Sequence, residues 1–278
     1  ICLITNIARL INENMYIFFV DVGQADCTFI QTRNNKKILI DGGGNEIGED
    51  YVGENILLPY LLNRRSKVID YIFISHFDSD HCQGLLYVMQ DIKVKNVIIS
   101  KQFEYNENYK KFLKIAKQEK INIKIANKGD KIYIEKNLYF EVLWPDALEP
   151  ISDNKINNNS LVCKMVYKKF SMLFTGDIEK IAEEKIIETY KNETNKLKAT
   201  IIKIPHHGSK TSSTMDFIEK VKPQEALIGV GKKNKFGHPA ITTIQTLQNQ
   251  NIKIYRTDEM GEITIKTNGK KYKVTKLL

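Results

Sequence analysis

The sequence predicts an α/β fold in which two β-sheets pack face to face and helices cover both outer sides, a four-layer αββα sandwich. Three observations point there. Short runs rich in Ile, Val, Phe and Thr alternate with stretches of helical periodicity. The second half of the chain repeats the order of the first, and no linker stands between the halves.

In chain order, strands are predicted at Tyr16–Val20, Cys27–Thr32 and Lys37–Ile40, the last ending in the turn Gly42-Gly43-Gly44. A helix near Asn55–Leu62 precedes the apolar strand Tyr71–Ser75. A further helix is expected to begin after His81 and run through Met89. Val97–Ser100 reads as a strand, and Asn108–Glu119 as a helix whose apolar face carries Phe112, Ile115 and Ala116. The second half offers strands at Lys131–Ile134, Tyr139–Leu143, Leu161–Tyr167 and Met172–Thr175, then a helix at Ile178–Tyr190. Strand Thr200–Ile204, helix Thr214–Val221, strand Glu225–Val230, a helix near Thr242–Asn249 and strands Lys253–Tyr255 and Glu262–Lys266 complete the series. The Asn-rich stretch Ser152–Asn159 reads as a loop. One domain is expected over 16–278, preceded by a lead-in segment at 1–15. Because the chain opens on Ile1 rather than Met, that lead-in reads as the cut edge of a longer protein.

With 278 residues, 42% of them hydrophobic, the chain can bury a substantial core. No stretch approaches the roughly 20 uninterrupted apolar residues of a membrane span. The residues Asn6, Arg9, Asn12, Glu13 and Asn14 break up the apolar start, which argues against a secretory signal. Four cysteines without paired spacing (Cys2, Cys27, Cys82 and Cys163) argue against a disulfide framework and a zinc ribbon. A net charge of +9 favours anionic partners such as phosphates and nucleic acid, although no dense basic tract localises it.

The chemistry concentrates at strand ends. His76, Asp78, Asp80 and His81 stand within six consecutive residues directly after the strand Tyr71–Ser75. Imidazole nitrogen and carboxylate oxygen suit Zn²⁺, Mn²⁺ or Fe²⁺, and the surplus of carboxylate favours harder ions. Asp41 follows Lys37–Ile40, Asp177 follows Met172–Thr175 through Gly176, and His206-His207 follow Thr200–Ile204 through Pro205. His238 sits in a Gly-His-Pro turn, so all five histidines share one kind of location.

These residues carry a family resemblance. His76-x-Asp78-x-Asp80-His81 resembles the His-x-His-x-Asp-His signature of the metallo-β-lactamase superfamily, with Asp78 in place of the second His. Asp41, Asp177 and His206-His207 match its other motifs in order. The series Asp21-Val22-Gly23-Gln24-Ala25-Asp26, Leu39–Gly43, Ser75–His81, Phe174–Asp177, His206–Ser209, Phe236–Pro239 and Tyr255–Asp258 resembles the C-terminal hydrolase domain of the ComEC competence channels and their soluble relatives. Classical members carry a further His shortly before the bridging Asp; here Asn159-Ser160 takes that place.

The resemblance implies a metallo-β-lactamase sandwich and a metal-dependent phosphodiesterase or nuclease with two divalent ions, Mn²⁺ or Zn²⁺. His76, Asp78 and Asp177 would hold one ion, and Asp80, His81 and Asp177 the other, with one of His206 and His207, taken as His207, completing the set. Asp80, His206, His238 and Lys210 are the expected catalytic residues. Asp26 and Asp41 are expected to orient ligands, and Asn159, Ser209 and Ser212 to support the site or contact substrate. The implied substrate is single-stranded DNA during DNA uptake, with the membrane-channel part of the same polypeptide as partner and the extracytoplasmic face of the membrane as location. A monomer is expected. The alternatives are a stand-alone soluble hydrolase of a small phosphodiester or other ester, and a non-catalytic metal-binding domain of a transport protein.

Overall fold

Strand β1 (Met15–Phe19) shows how the layers arise. Ile17 and Phe19 enter the core between the sheets, whereas Phe18 turns to the helical side, as the two-residue period of a strand requires. The computed structural model describes residues 14–45 and 48–276. The lead-in expected at 1–15 lies outside the described residues except for Asn14 and Met15, and Met15 already belongs to β1.

Strands β2 to β6 are Thr28–Gln31, Lys37–Ile40, Val68–Phe73, Lys93–Ser100 and Asn122–Ala126. Strands β7 to β13 are Lys131–Glu135, Leu138–Trp144, Val162–Tyr167, Phe170–Phe174, Ile201–Lys203, Glu225–Ile228 and Lys253–Arg256, and β14 and β15 are Ile263–Thr267 and Tyr272–Lys276. Among the described residues they form two sheets, ordered β15-β14-β1-β2-β3-β4-β5-β6 and β13-β12-β11-β10-β9-β8-β7. Each sheet is antiparallel on one side and parallel on the other. The parallel parts are β3 to β6 and β10 to β13. The repeat visible in the sequence is this shared plan.

Helices α1 (Leu58–Asn63), α2 (Ser79–Asp91) and α3 (Glu107–Gln118) cover the first sheet, with Leu85, Leu86 and Phe112 packed in one cluster with Leu39, Ile72 and Val97. A short α4 (Lys155–Asn158) follows β8. Helices α5 (Lys180–Thr189), α6 (Met215–Val221) and α7 (Ile241–Asn249) cover the second sheet, where Ile186, Phe217 and Leu247 share a cluster with Leu173 and Ile202. A last short helix, α8 (Thr257–Met260), follows β13. Between the sheets, the Phe73 and Phe140 rings meet at 4.3 Å. Full burial of such a side chain contributes roughly 1.5–3 kcal/mol. This is the expected αββα sandwich.

Four local features differ from expectation. β6 and β15, which were not among the expected strands, are edge strands of five residues each and largely exposed. The loop expected at Ser152–Asn159 contains the turn of helix α4. Helix α2 starts at Ser79 rather than after His81, with Asp78 extended at its N-cap (φ −75°, ψ 152°). That early start puts Asp80 and His81 in a first helical turn. No helix of the described residues is long and apolar enough to cross a membrane. Cys27, Cys82 and Cys163 are buried free thiols; Cys2 lies outside the described residues.

Candidate metal centre

Almost every group of the centre follows the carboxyl end of a strand. Asp41 follows β3, Ser75 and His76 follow β4, Asp177 follows β10, and His206 and His207 follow β11. Asp26 comes from the β1–β2 connection, while Asp80 and His81 are presented by α2. That helix approaches the turn after β3 very closely. The Gly84 N–H donates to the Gly43 carbonyl at 2.8 Å, and a Cβ on Gly84 would lie 2.1 Å from the Gly42 oxygen. Only glycine permits this approach.

His81 is fully buried, and its Nδ1 lies 3.0 Å from Asp41 Oδ2. Asp41 in turn accepts from the Ser75 N–H and the Ser75 hydroxyl, both at 2.8 Å. With one ring proton drawn to Nδ1 by that carboxylate, Nε2 is turned inward, 3.2 Å from Asp177 Oδ1. His207 is held in the same manner, its Nδ1 donating to the Gly229 carbonyl at 2.8 Å. Its Nε2 lies 3.1 Å from Asp80 Oδ2 and 3.5 Å from Asp177 Oδ2. His206 and His207 both adopt left-handed backbone (φ 50° and 53°), a conformation that costs a non-glycine residue roughly 1–3 kcal/mol and gathers at functional sites.

Beside this group, His76 directs Nδ1 at the Ser75 and Ser160 hydroxyls (2.9 and 3.3 Å) and places Nε2 3.7 Å from Asp78 Oδ2. His206 is a quarter exposed, with Nε2 4.0 Å from Asp177 Oδ2 and Nδ1 3.4 Å from Glu179 Oε1. The His238 ring lies 5.7 Å from that of His206. Its Nδ1 is 3.5 Å from Gln24 Nε2, and the Gln24 amide is oriented by the Gly231 N–H on its oxygen at 3.0 Å.

The residues fit a divalent cation. One ligand atom each from Asp26, His81, Asp177 and His207 falls within 4.8 Å of the others, and all four residues are buried. Asp26 Oδ1, His76 Nε2 and His81 Nε2 are buried without hydrogen-bond partners, a costly arrangement unless a cation satisfies them. Asp26, expected to orient ligands, thus lies where it could itself contact such a cation. Its Oδ2, however, is ion-paired with the ammonium of Lys203, which also reaches Asp177 Oδ1 at 3.3 Å and donates to the Gly176 carbonyl at 3.0 Å. Asp80, on His207 Nε2, has no such competitor among these contacts.

Electrostatics follow from this packing. Burial and the neighbouring His81 push the His76 imidazole down to about 3, so it is neutral and able to ligate. Burial also works against charge on His81 and His207, but Asp177 and the other carboxylates outweigh it and raise both. Reciprocally, His81 and His207 overcome the burial of Asp80 and Asp177 and hold both carboxyls below their ordinary range. Burial beside His207 and His206 lowers His238 to about 4.

Some expected residues lie elsewhere. Asn159 braces its own loop, accepting from the Ile151 N–H and donating to the Ile151 and Lys155 carbonyls, while Ser160 faces His76 and the Asp177 N–H. Ser209 and Ser212 stitch the 205–212 turn: Ser209 Oγ meets Thr211, and Ser212 Oγ donates to the Pro205 and Ser209 carbonyls. Lys210 is exposed on that turn. Sequence reasoning missed Lys203, and of the pair Asn159-Ser160 it assigned a site role to Asn159 although Ser160 is the one that faces the centre. The signal for Lys203 was a lysine inside the apolar run Ile201-Ile202-Lys203-Ile204, immediately ahead of the histidine pair.

A sequence profile described as the Metallo-beta-lactamase superfamily matches residues 20–232. The chain belongs to the metallo-β-lactamase superfamily. Within the superfamily it is similar to ComE operon protein 3 of Bacillus subtilis, 34% identical over 255 residues that make up 88% of this chain and 32% of that protein. Recombination protein 2 of Haemophilus influenzae is 27% identical, over 88% of this chain and 28% of its own length. Competence protein ComA of Neisseria gonorrhoeae is 27% identical, over 87% and 31%. The chain therefore spans about a third of the length of these relatives. Among solved structures, the diiron β-hydroxylase CmlA of Streptomyces venezuelae superposes with a TM-score of 0.57 at 14% identity, over 96% of this chain and 55% of that one. The metallo-β-lactamase fold protein YhfI of Bacillus subtilis gives 0.52 at 10% identity, over 87% and 95%. At such identities these two superpositions bear on the fold alone.

Proposed function

We propose that this chain is a metal-dependent phosphodiesterase that degrades single-stranded DNA, the non-transported strand, during DNA uptake. The observation that carries the reading is the buried imidazole and carboxylate cluster joined through Asp80 to a cleft of about 670 Å³. The similarity to competence proteins supports the place in DNA uptake. We further propose that the domain lies on the extracytoplasmic face of the membrane, as a monomer attached to the channel part of a longer polypeptide.

We assign Asp80, His81, Asp177 and His207 to one divalent ion, and His76, Asp78 and the shared Asp177 to a second, with Mn²⁺ and Zn²⁺ as the candidate metals. Such ions supply an activated water near neutral pH and offset charge on a phosphoryl oxygen. The protein's own part is positional. Asp41 and the Gly229 carbonyl fix the tautomers of His81 and His207. Lys203 neutralises part of the carboxylate charge from beneath. His238 accepts from Gln24 at Nδ1, which keeps its proton on Nε2 as a donor toward a substrate oxygen. His206, a quarter exposed, is the second such group.

The test compares a 5′-labelled single-stranded oligonucleotide with bis(p-nitrophenyl) phosphate, using protein loaded with Mn²⁺ or with Zn²⁺, and Asp80→Ala beside wild type. Metal-dependent cleavage of both substrates by wild type alone is the expected result. Hydrolysis of the chromogenic diester with DNA left intact would move the substrate to a small phosphodiester. Identical behaviour of wild type and Asp80→Ala on every substrate would end the enzyme reading.

A further inference from the structure

The cleft beside the metal centre has one unusual wall. Gln24, Asp80 and Gln83 line it on the side of the centre, and Asn234, Lys235 and Phe236 on the other. Phe236 is 56% exposed at this rim. Its ring lies 5.8 Å from the His238 ring at an interplanar angle of 27°, a loosely stacked pair, so an apolar face stands beside the histidine proposed to meet the substrate. An isolated exposed Phe elsewhere on the surface would need no explanation. Here the loop that carries it is braced. The Asn234 side chain accepts from the His238 N–H at 3.0 Å and donates to the His238 carbonyl at 2.7 Å and the Gly231 carbonyl at 3.2 Å, closing the 231–238 loop upon itself. The same loop carries Lys232, Lys233 and Lys235, and the Lys235 ammonium lies 5.5 Å over the Phe236 ring. An exposed aromatic plane among cations, at the mouth of the proposed phosphodiester site, matches the chemistry of a single-stranded polynucleotide: a base offers a π-face and its flanking phosphates offer charge.

We propose that Phe236 is a stacking platform for an unpaired nucleobase adjoining the cleaved phosphodiester, with the lysines of its loop holding the neighbouring phosphates. The proposal rests on the phosphodiesterase reading and sharpens it, because a compact diester has no base to stack at this distance from the metal centre.

The test is fluorescence anisotropy of labelled oligothymidylate and of the same oligonucleotide carrying abasic residues, with Ca²⁺ present to limit turnover. Wild type, Phe236→Ala and Phe236→Trp are compared, and thermal melting shows that each variant is folded. Phe236→Ala is expected to weaken binding of oligothymidylate by about tenfold with little effect on the abasic strand, and Phe236→Trp to restore it. Equal affinities of wild type and Phe236→Ala for oligothymidylate would overturn the stacking role, as would an equal loss on both strands. Either result leaves the phosphodiesterase reading standing if wild type cleaves DNA. A wild type that neither binds nor cleaves either strand would instead remove the DNA reading and the platform together.

Discussion

His207 Nε2 stands 3.1 Å from Asp80 Oδ2, although 127 residues separate the two in the chain. One side chain is delivered by the end of β11 and the other by the first turn of α2, so the contact joins the two sheets. On the proposal that the two share one ion, Asp80→Ala and His207→Ala should each lower diester turnover by more than about 100-fold, beyond the range typical of a group that only orients a ligand. The double variant should be no worse than either single one, since groups acting as a unit are strongly non-additive. Bound metal, measured by mass spectrometry, should fall in parallel; full metal content with near-normal turnover would refute the assignment.

Asp41→Asn tests the support behind His81. The amide replaces one acceptor of a carboxylate that serves the Ser75 N–H, the Ser75 hydroxyl and His81 Nδ1. Metal affinity should drop roughly 10–100-fold while the far-ultraviolet spectrum stays unchanged. Calorimetric titration with Mn²⁺ reads the effect, and an unchanged Kd would show that His81 holds its tautomer without Asp41.

Lys203→Met should destabilise the metal-free protein by about 3–5 kcal/mol, because it leaves the buried Asp26 and Asp177 carboxylates without their cation. Adding Asp26→Asn should recover part of that loss, since one of the uncompensated charges is then gone. Urea denaturation of the three proteins gives the comparison. Equal midpoints for Lys203→Met and wild type would show that the ammonium is not needed.

Glu183 provides a stability effect with a defined sign. It is fully buried and accepts from the Ser213 and Thr214 N–H groups at 2.6 and 2.9 Å, yet burial lifts its carboxyl from 4.5 to about 7. The folded state therefore retains a proton that the unfolded chain has lost, and stability falls as pH rises from about 4.5 to 7, then levels off. The full contribution is about 3 kcal/mol. Glu183→Gln should flatten this window in urea midpoints measured between pH 5 and 8, whereas an unaltered pH profile would rule out a folded-state carboxyl that titrates there.

Much of the architecture was legible because strands and helices of a layered fold leave strong periodicities. The runs around Phe18, Ile38 and Ile72 alternate or fill as buried strands must, and helix α3 carries Phe112 and Ile115 on one face. The edge strands β6 and β15 were not recognised, since at five residues each and largely exposed they add no long apolar run to set them apart from the flanking turns. At the candidate site, residue type was informative: His and Asp after strand ends stand out against an Ile- and Lys-rich background. Roles that depend on where a loop points were not. Asn159 and Ser160 are adjacent, yet one braces its loop and the other faces His76. Lys203 looked like one more lysine in a basic chain until its burial against two carboxylates gave it a place.

That ammonium is a counter-ion bonded covalently to the scaffold, and it cannot be dialysed away. A site of this kind never faces its full carboxylate repulsion, even after a chelator has removed every exchangeable ion. The apo-protein is then expected to keep its folded architecture, unlike a zinc finger, whose folding free energy is supplied by its metal. Added ion stabilises it only by mass action, in proportion to RT ln(1 + [M]/Kd). Loading and unloading become events on a standing framework, and the metal can exchange without the sheets coming apart.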